Sequence, residues 1–161
     1  MKHLWKMLLL IPLAICLSTD AHAQGKFGVG LVFGEPTGFA WKYRINEINA
    51  LDGAVGVSQR DRYRFHVDYL WQTHPFNEPR LMLHYGPGLA VGGGTSYYYY
   101  TDHGYFLHSE EVGFGVRGDV GLDYQIKKTP LELFFEVAPM VIMAPAMGSG
   151  VDLGFGGRFF L

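Results

Sequence analysis

The sequence predicts an all-β protein, an eight-stranded antiparallel β-barrel with up-and-down connectivity. Apolar and polar residues alternate with a period of two in eight separate runs, which indicates strands with one apolar and one polar face. No segment between the runs has a helical period, so consecutive strands are expected to pair as antiparallel hairpins. Glycine (22 residues) and aromatic residues (16%) are abundant and charged residues few (17%), which disfavours a helical bundle or a disordered chain.

The first four strands are predicted at residues 27–33, 39–43, 51–57 and 65–71. The first run alternates Phe27, Val29, Leu31 and Phe33 with Gly28, Gly30 and Val32. The second run alternates Phe39, Trp41 and Tyr43 with Ala40, Lys42 and Arg44. The next two runs follow the same rule, so each predicted strand has one face of large apolar side chains and one face of small or charged side chains.

The last four strands are predicted at residues 81–91, 112–124, 131–141 and 151–161. Most of the eight runs are close in length to the roughly 9–11 residues that a tilted strand needs to cross a bilayer. Eight is an even number, and eight strands close into the smallest common barrel.

Alternation does not reveal which face of a barrel points outward. The apolar face is nearly unbroken and bulky on all eight strands, and a narrow barrel cannot hold that many large side chains. The polar face is rich in glycine, which suits a tight interior crossed by a few long charged side chains. We therefore expect a transmembrane barrel with its apolar face outward, and the alternative is a soluble secreted lipocalin-like barrel with that face inward.

The inward face is predicted to hold a polar network in the barrel lumen. Its members are Lys42, Arg44, Asp52, His66, Asp68, His84, Arg117, Asp119, Asp123, Glu132, Glu136, Asp152 and Arg158. Opposite charges should interleave there because an unpaired buried charge is costly. No cofactor or metal is expected, because a zinc site needs three or four converging ligands and the lumen histidines are interpreted as hydrogen-bonded residues. A narrow water-filled conduit is the alternative.

The N-terminal segment predicts export. Lys2 and Lys6 precede an apolar run at residues 7–17, and Ala21-His22-Ala23 follows it, which is the pattern of a secretory signal peptide. We expect cleavage after Ala23, which leaves residues 24–161 as the barrel domain. The single cysteine, Cys16, lies in the signal, so no disulfide is expected. The net charge of −2 argues against a nucleic-acid partner.

An even strand number puts both chain ends on one side, which in the membrane interpretation is the periplasm. Outer loops are then predicted at residues 35–37, 58–62, 93–110 and 144–149, and periplasmic turns at 45–48, 74–80 and 127–130. The long third loop carries Tyr97, Tyr98, Tyr99, Tyr100 and Tyr105. If they extend the strands, Tyr97 and Tyr99 are expected to join the aromatic belt at the membrane surface, and Tyr98 and Tyr100 to line the mouth of the barrel. If they form a loop, the tyrosines are expected to make a patch that binds an unknown extracellular ligand.

With its signal, amphipathic strands, glycine-rich polar face and terminal "LGFGGRFFL", the chain resembles the small outer-membrane β-barrels of the OmpA/OmpX type. The resemblance is architectural and covers residues 24–161. It implies a bacterial outer-membrane location, contact with outer-membrane lipid and lipopolysaccharide, and recognition by the barrel assembly machinery. In that family the last strand carries an aromatic assembly signal, whose spacing Phe155, Phe159 and Leu161 match. The difference is Leu161, where a terminal Phe is usual.

An enzyme is not expected, although some small barrels act on lipid A. The outer-membrane deacylases that the chain resembles in size use a His and a Ser two residues apart, and the nearest candidates here are His108 and Ser109. Neighbouring residues on a strand point to opposite faces, so these two would not pair in a strand. We expect a structural or interaction role, with a lipid-A-modifying enzyme and a narrow pore as alternatives.

Overall fold

A computed structural model describes residues 25–58, 63–93, 96–98, 106–108, 112–144 and 147–161 of the chain. The strands are β1 (Phe27–Gly34), β2 (Thr37–Arg44), β3 (Asn49–Val57), β4 (Tyr63–Thr73), β5 (Leu81–Gly93), β6 (Ser96–Tyr98), β7 (Phe106–His108), β8 (Val112–Gln125), β9 (Leu131–Ala144) and β10 (Gly148–Phe160). Within these ranges, no helix has the length and apolar character needed to cross a membrane. The predicted signal peptide lies outside the described residues.

Eight of the strands close into an antiparallel barrel in the order β1-β10-β9-β8-β5-β4-β3-β2. Each barrel strand pairs with the barrel strands that come before and after it along the chain, and β1 pairs with β10 to close the ring. In this closing pair Val29 lies opposite Phe159, and the Leu161 N–H donates to the Phe27 carbonyl oxygen at 2.9 Å. The predicted fold class, an eight-stranded up-and-down β-barrel, is therefore confirmed.

The strands differ from the predicted runs mainly in length. β5, β8, β9 and β10 have 13 or 14 residues, because backbone pairing continues past the point where glycine and methionine interrupt the alternation. The third loop also contains a separate two-stranded sheet of β6 and β7, in which Ser96 lies opposite His108 and Tyr98 opposite Phe106. Hairpin pairing of this kind depends on partner strands and not on the period of one run.

The two ends of the barrel are different. The turn end has the connections at residues 45–48, 74–80 and 126–130 and both ends of the described chain, and the loop end has those at 35–36, 58–62, 94–111 and 145–147. At the turn end, the Asn46 side chain accepts hydrogen bonds from the Ile48 and Asn49 N–H groups, which closes a tight turn. In the next turn Arg80 donates to Glu78 at 2.7 and 3.0 Å, and these bonds lower the pKa of Glu78.

Side chains alternate between the outside and the interior of the barrel. Outward residues are apolar and exposed, for example Leu31 (57%) and Leu89 (64%). Inward residues are small or charged, and Lys42 is fully buried. Strands approach closely where glycines face inward: a Cβ added to Gly30 would lie 1.8 Å from the Gly157 carbonyl oxygen. The interior is thus narrow, and its remaining space is filled by charged side chains.

Candidate functional site

The structure places all thirteen residues of the predicted lumen network inside the barrel. Twelve of them are at most 3% exposed. The thirteenth, Arg44, lies at the turn end, where its side chain is 21% exposed. Their contacts divide the interior into three tiers along the barrel axis, from the turn end to the loop end.

Two ion-pair centres form the tier at the turn end. Glu132 accepts from Arg44 at 2.7 Å and also lies 3.4 Å from the Lys42 amine. The Lys42 amine forms a shorter pair with Asp123, at 2.5 Å. On the other side Arg158 lies 2.6 Å from Asp52. Each carboxylate here faces at least one cation, as the cost of burying charge requires.

Aromatic rings complete this tier. The Arg44 guanidinium lies 3.6 Å from the centre of the Phe160 ring, and the Arg158 guanidinium lies 3.7 Å from that of Phe134. Such cation–π contacts are strongest where water is excluded. The two rings therefore hold the arginines in place against the carboxylates that they pair with.

Arg117 and the two histidines form the middle tier. Arg117 lies 3.1 Å from Asp68 and 3.5 Å from both Glu136 and Asp152. His84 Nδ1 lies 2.8 Å from Asp123, which links this tier to the one below.

Two more contacts in the middle tier are long. His84 Nε2 lies 3.7 Å from Asp119, and His66 Nε2 lies 3.7 Å from Asp68 and 4.0 Å from Glu136. Glycines make room for these groups, since a Cβ on Gly121 would lie 2.3 Å from His84 Nε2. The middle tier thus brings both histidines close to carboxylates.

The tier at the loop end is centred on Arg64, a residue that sequence reasoning did not include. Arg64 Nη1 donates to both carboxylate oxygens of Asp152, at 2.6 and 2.7 Å. Beside it, the Ser58 hydroxyl donates to Glu35. The signal for Arg64 was present, because it occupies a polar-face position one step before the periodic run of its strand begins.

Other interior residues were missed for a different reason. Gln72 lies 3.4 Å from Asp123, and Gln125 accepts from Arg44 at 3.2 Å, but both are uncharged and lie at strand ends. Phe134 and Phe160 are aromatic residues at inward positions, where a search for charged residues does not detect them. The alternation itself does identify them, since each occupies the inward position in its strand.

The other predicted site residues are the assembly signal and the residues of the third loop. Phe155 and Leu161 are outward and exposed, and the Phe155 ring lies 5.7 Å from that of Phe33 across the closing strand pair. The backbone of Tyr97 and Tyr98 belongs to β6. Tyr99, Tyr100, Tyr105 and Ser109 lie outside the described residues, and His108 ends β7.

Searches of protein-family models, curated proteins and solved structures found no match to this chain. The site is a narrow barrel interior, closed by hydrogen-bonded strands and crossed by three connected tiers of ion pairs, inside an apolar outer face.

Proposed function

We propose that the protein is an integral outer-membrane β-barrel with a structural or interaction role, which presents its loop end outside the cell. The observation that carries this proposal is the distribution of polarity, which is charged inside and apolar outside. A soluble lipocalin-like barrel would have the opposite distribution.

The outer apolar face surrounds the whole barrel. Exposed large apolar side chains occur on every barrel strand, among them Leu31, Phe39, Val55, Phe65, Leu89, Phe114, Leu133 and Leu153. An apolar surface far larger than a few hundred Å² indicates an interaction surface. A protein partner would cover one side of the barrel, whereas a bilayer covers all sides, and this favours lipid as the surrounding medium.

The dimensions of the barrel agree with a membrane span. The shortest barrel strands, β1 and β2, have eight residues each. At about 3.3 Å per residue and a tilt of roughly 40°, eight residues rise about 20 Å along the barrel axis. The longer strands extend beyond this height towards the loop end. The apolar band of outer-membrane barrels is about 25 Å tall, so the whole barrel has the height needed.

A cluster of aromatic rings lies on the outer face near the turn end. The Trp71 ring lies 5.4 Å from that of Tyr69 and 5.9 Å from that of Tyr85, centre to centre. Amphipathic rings of this kind favour the level of the lipid headgroups. We place the turn end on the periplasmic side, where outer-membrane barrels have their short turns and both chain ends.

The resemblance to OmpA/OmpX-type barrels supports the same assignment. Bound partners would be outer-membrane lipid and lipopolysaccharide, the assembly machinery, and an extracellular ligand for the third loop. The hairpin of β6 and β7 gives that loop a paired backbone at residues 96–98 and 106–108. The filled interior favours a scaffold over a pore.

Membrane fractionation of cells that express the full chain tests this proposal. We expect the protein in the outer-membrane fraction, with a gel mobility that changes on heating and an N-terminus at Gln24 after processing. A soluble periplasmic protein would contradict the proposal. Conductance across planar bilayers would instead indicate a pore, and altered lipid A by mass spectrometry would indicate an enzyme.

The C-terminal strand provides a test of assembly. Phe159→Asp puts a charge on the proposed lipid face next to the closing seam, so we expect a lower level of folded protein in the outer membrane. Phe76→Asp is the matched control, because Phe76 lies in the turn at residues 74–80 and is 45% exposed. Immunoblots of membrane fractions measure both. Equal, normal levels of the two variants would argue against an assembly signal at Phe159.

A further inference from the structure

Three potential metal ligands converge in the middle tier. His84 on β5, Asp119 on β8 and Glu136 on β9 lie on three neighbouring strands, and each is at most 3% exposed. One ligand atom from each lies within 4.8 Å of the other two. Alternation puts all three side chains on the inward face. Gly121 on β8 lies opposite both His84 and Glu136, and Asp119 precedes Gly121 by two residues, so the three side chains are neighbours.

Several atoms of this cluster are buried without a hydrogen-bond partner. They are His84 Nε2 and both carboxylate oxygens of Asp119. Within the described part of the chain, the only group within ion-pair distance of Asp119 is His84 Nε2, at 3.7 Å. A buried carboxylate without a partner is costly, and a cation between these atoms would satisfy them.

The other nitrogen of His84 is held in the way that metal-binding histidines usually are. His84 Nδ1 lies 2.8 Å from Asp123 Oδ2, and this carboxylate is fixed in turn by the Lys42 amine. A proton on Nδ1 that is donated to Asp123 leaves the lone pair of Nε2 directed at Asp119 and Glu136. Carboxylate–histidine pairs of this type orient the ring and make the ligand nitrogen more basic.

The interior holds more carboxylates than cationic side chains. Its cationic side chains are Lys42, Arg44, Arg64, Arg117 and Arg158, and its carboxylates are Asp52, Asp68, Asp119, Asp123, Glu132, Glu136 and Asp152. Glu35 adds a further carboxylate at the loop end, so the described interior has eight carboxylates and five cationic side chains. A divalent cation would offset part of this excess of carboxylates.

We propose that the barrel interior binds one divalent transition-metal ion of the zinc class through His84 Nε2, Asp119 and Glu136. Zinc takes imidazole nitrogen and carboxylate oxygen at about 2.0–2.2 Å, so two ligand atoms on one ion lie roughly 3.3–3.6 Å apart. The distance of 3.7 Å between His84 Nε2 and Asp119 is close to this spacing. Calcium and magnesium prefer oxygen ligands alone, so the imidazole selects against them.

The test measures the metal content of the folded protein. Protein from cells that express the full chain is unfolded with a chelator, refolded with or without Zn²⁺ and analysed by mass spectrometry of metals. We expect one zinc per chain and a higher unfolding temperature with zinc. His84→Gln and Asp119→Asn should each weaken binding by more than roughly 100-fold, beyond the loss typical of residues that only orient a ligand.

Two variants serve as controls. His66→Gln removes the other buried histidine, and Asp152→Asn removes an interior carboxylate that pairs with Arg64, so both should retain zinc. Metal-free wild-type protein after refolding with zinc would overturn the proposal, and so would equal retention by His84→Gln. If the site variants do not fold, Co²⁺ in the wild-type protein decides, because a four- or five-coordinate ion held by one imidazole and two carboxylates gives intense visible absorption bands, and their absence overturns the site.

Discussion

Leu31→Arg is expected to lower the free energy of unfolding in lipid by about 2–4 kcal/mol. Leu31 lies midway along β1, points outward and is 57% exposed, so the new guanidinium would meet the apolar centre of the bilayer. Urea unfolding of the barrel in lipid vesicles, followed by tryptophan fluorescence, measures the change. In water the same substitution on an exposed position would have little effect.

Ile48→Arg is the matched control for depth. Ile48 is also a branched aliphatic residue, 60% exposed, but it lies in the turn at residues 45–48. A charge near the membrane interface costs only about 0–1 kcal/mol, so this variant should unfold almost as the wild type does. Two small and equal effects would contradict a lipid-covered outer face.

Arg158→Met is expected to destabilise the barrel by about 3–5 kcal/mol, because it leaves the buried Asp52 carboxylate without its cation and removes one of the three cations around Glu132. Arg158 is 1% exposed and lies 2.6 Å from Asp52 and 3.5 Å from Glu132. Methionine keeps much of the apolar length of the side chain, so the loss comes mainly from the charge. The temperature at which the compact form disappears on heated gels, together with urea unfolding, measures the effect.

Arg80→Met provides the comparison on the surface. Arg80 pairs with Glu78 at 2.7 Å in the turn at residues 74–80, where water solvates both groups. Exposed ion pairs contribute little, so no measurable change is expected. If Arg158→Met were as stable as Arg80→Met, the interior would not depend on its ion pairs.

Much of the fold could be predicted because a strand with period two has only two faces. The alternation of apolar and polar residues predicts that Leu31 points outward and Lys42 inward. In the structure Leu31 is exposed and Lys42 is buried. The turns were visible as interruptions such as Glu35-Pro36-Thr37. The hairpin of β6 and β7 could not be predicted, since four consecutive tyrosines have no alternation and the paired residues are 8 to 12 positions apart.

The site could be predicted only in part. Alternation places Asp123 and Asp119 on the inward face equally, but it says nothing of their level along the barrel axis. That level follows from the stagger of neighbouring strands. Because of this stagger, Lys42 forms an ion pair with Asp123, and Asp119 lies near His84. The sequence therefore predicts which residues lie inside, whereas the partners of each depend on the three-dimensional register.

The ion pairs of the interior have a consequence for how the barrel folds. Lys42 with Asp123, Asp52 with Arg158, and Arg64 with Asp152 each join the first half of the chain to the second. Arg117 and Arg158 also pair with carboxylates of the second half, but neither half pairs all of its charges alone, so a half-formed sheet would carry unpaired charges into an apolar medium. Long-range contacts of this kind slow folding. The first strand, β1, is therefore stable only when the last strand, β10, has paired with it. Closure of the barrel should be a single cooperative event.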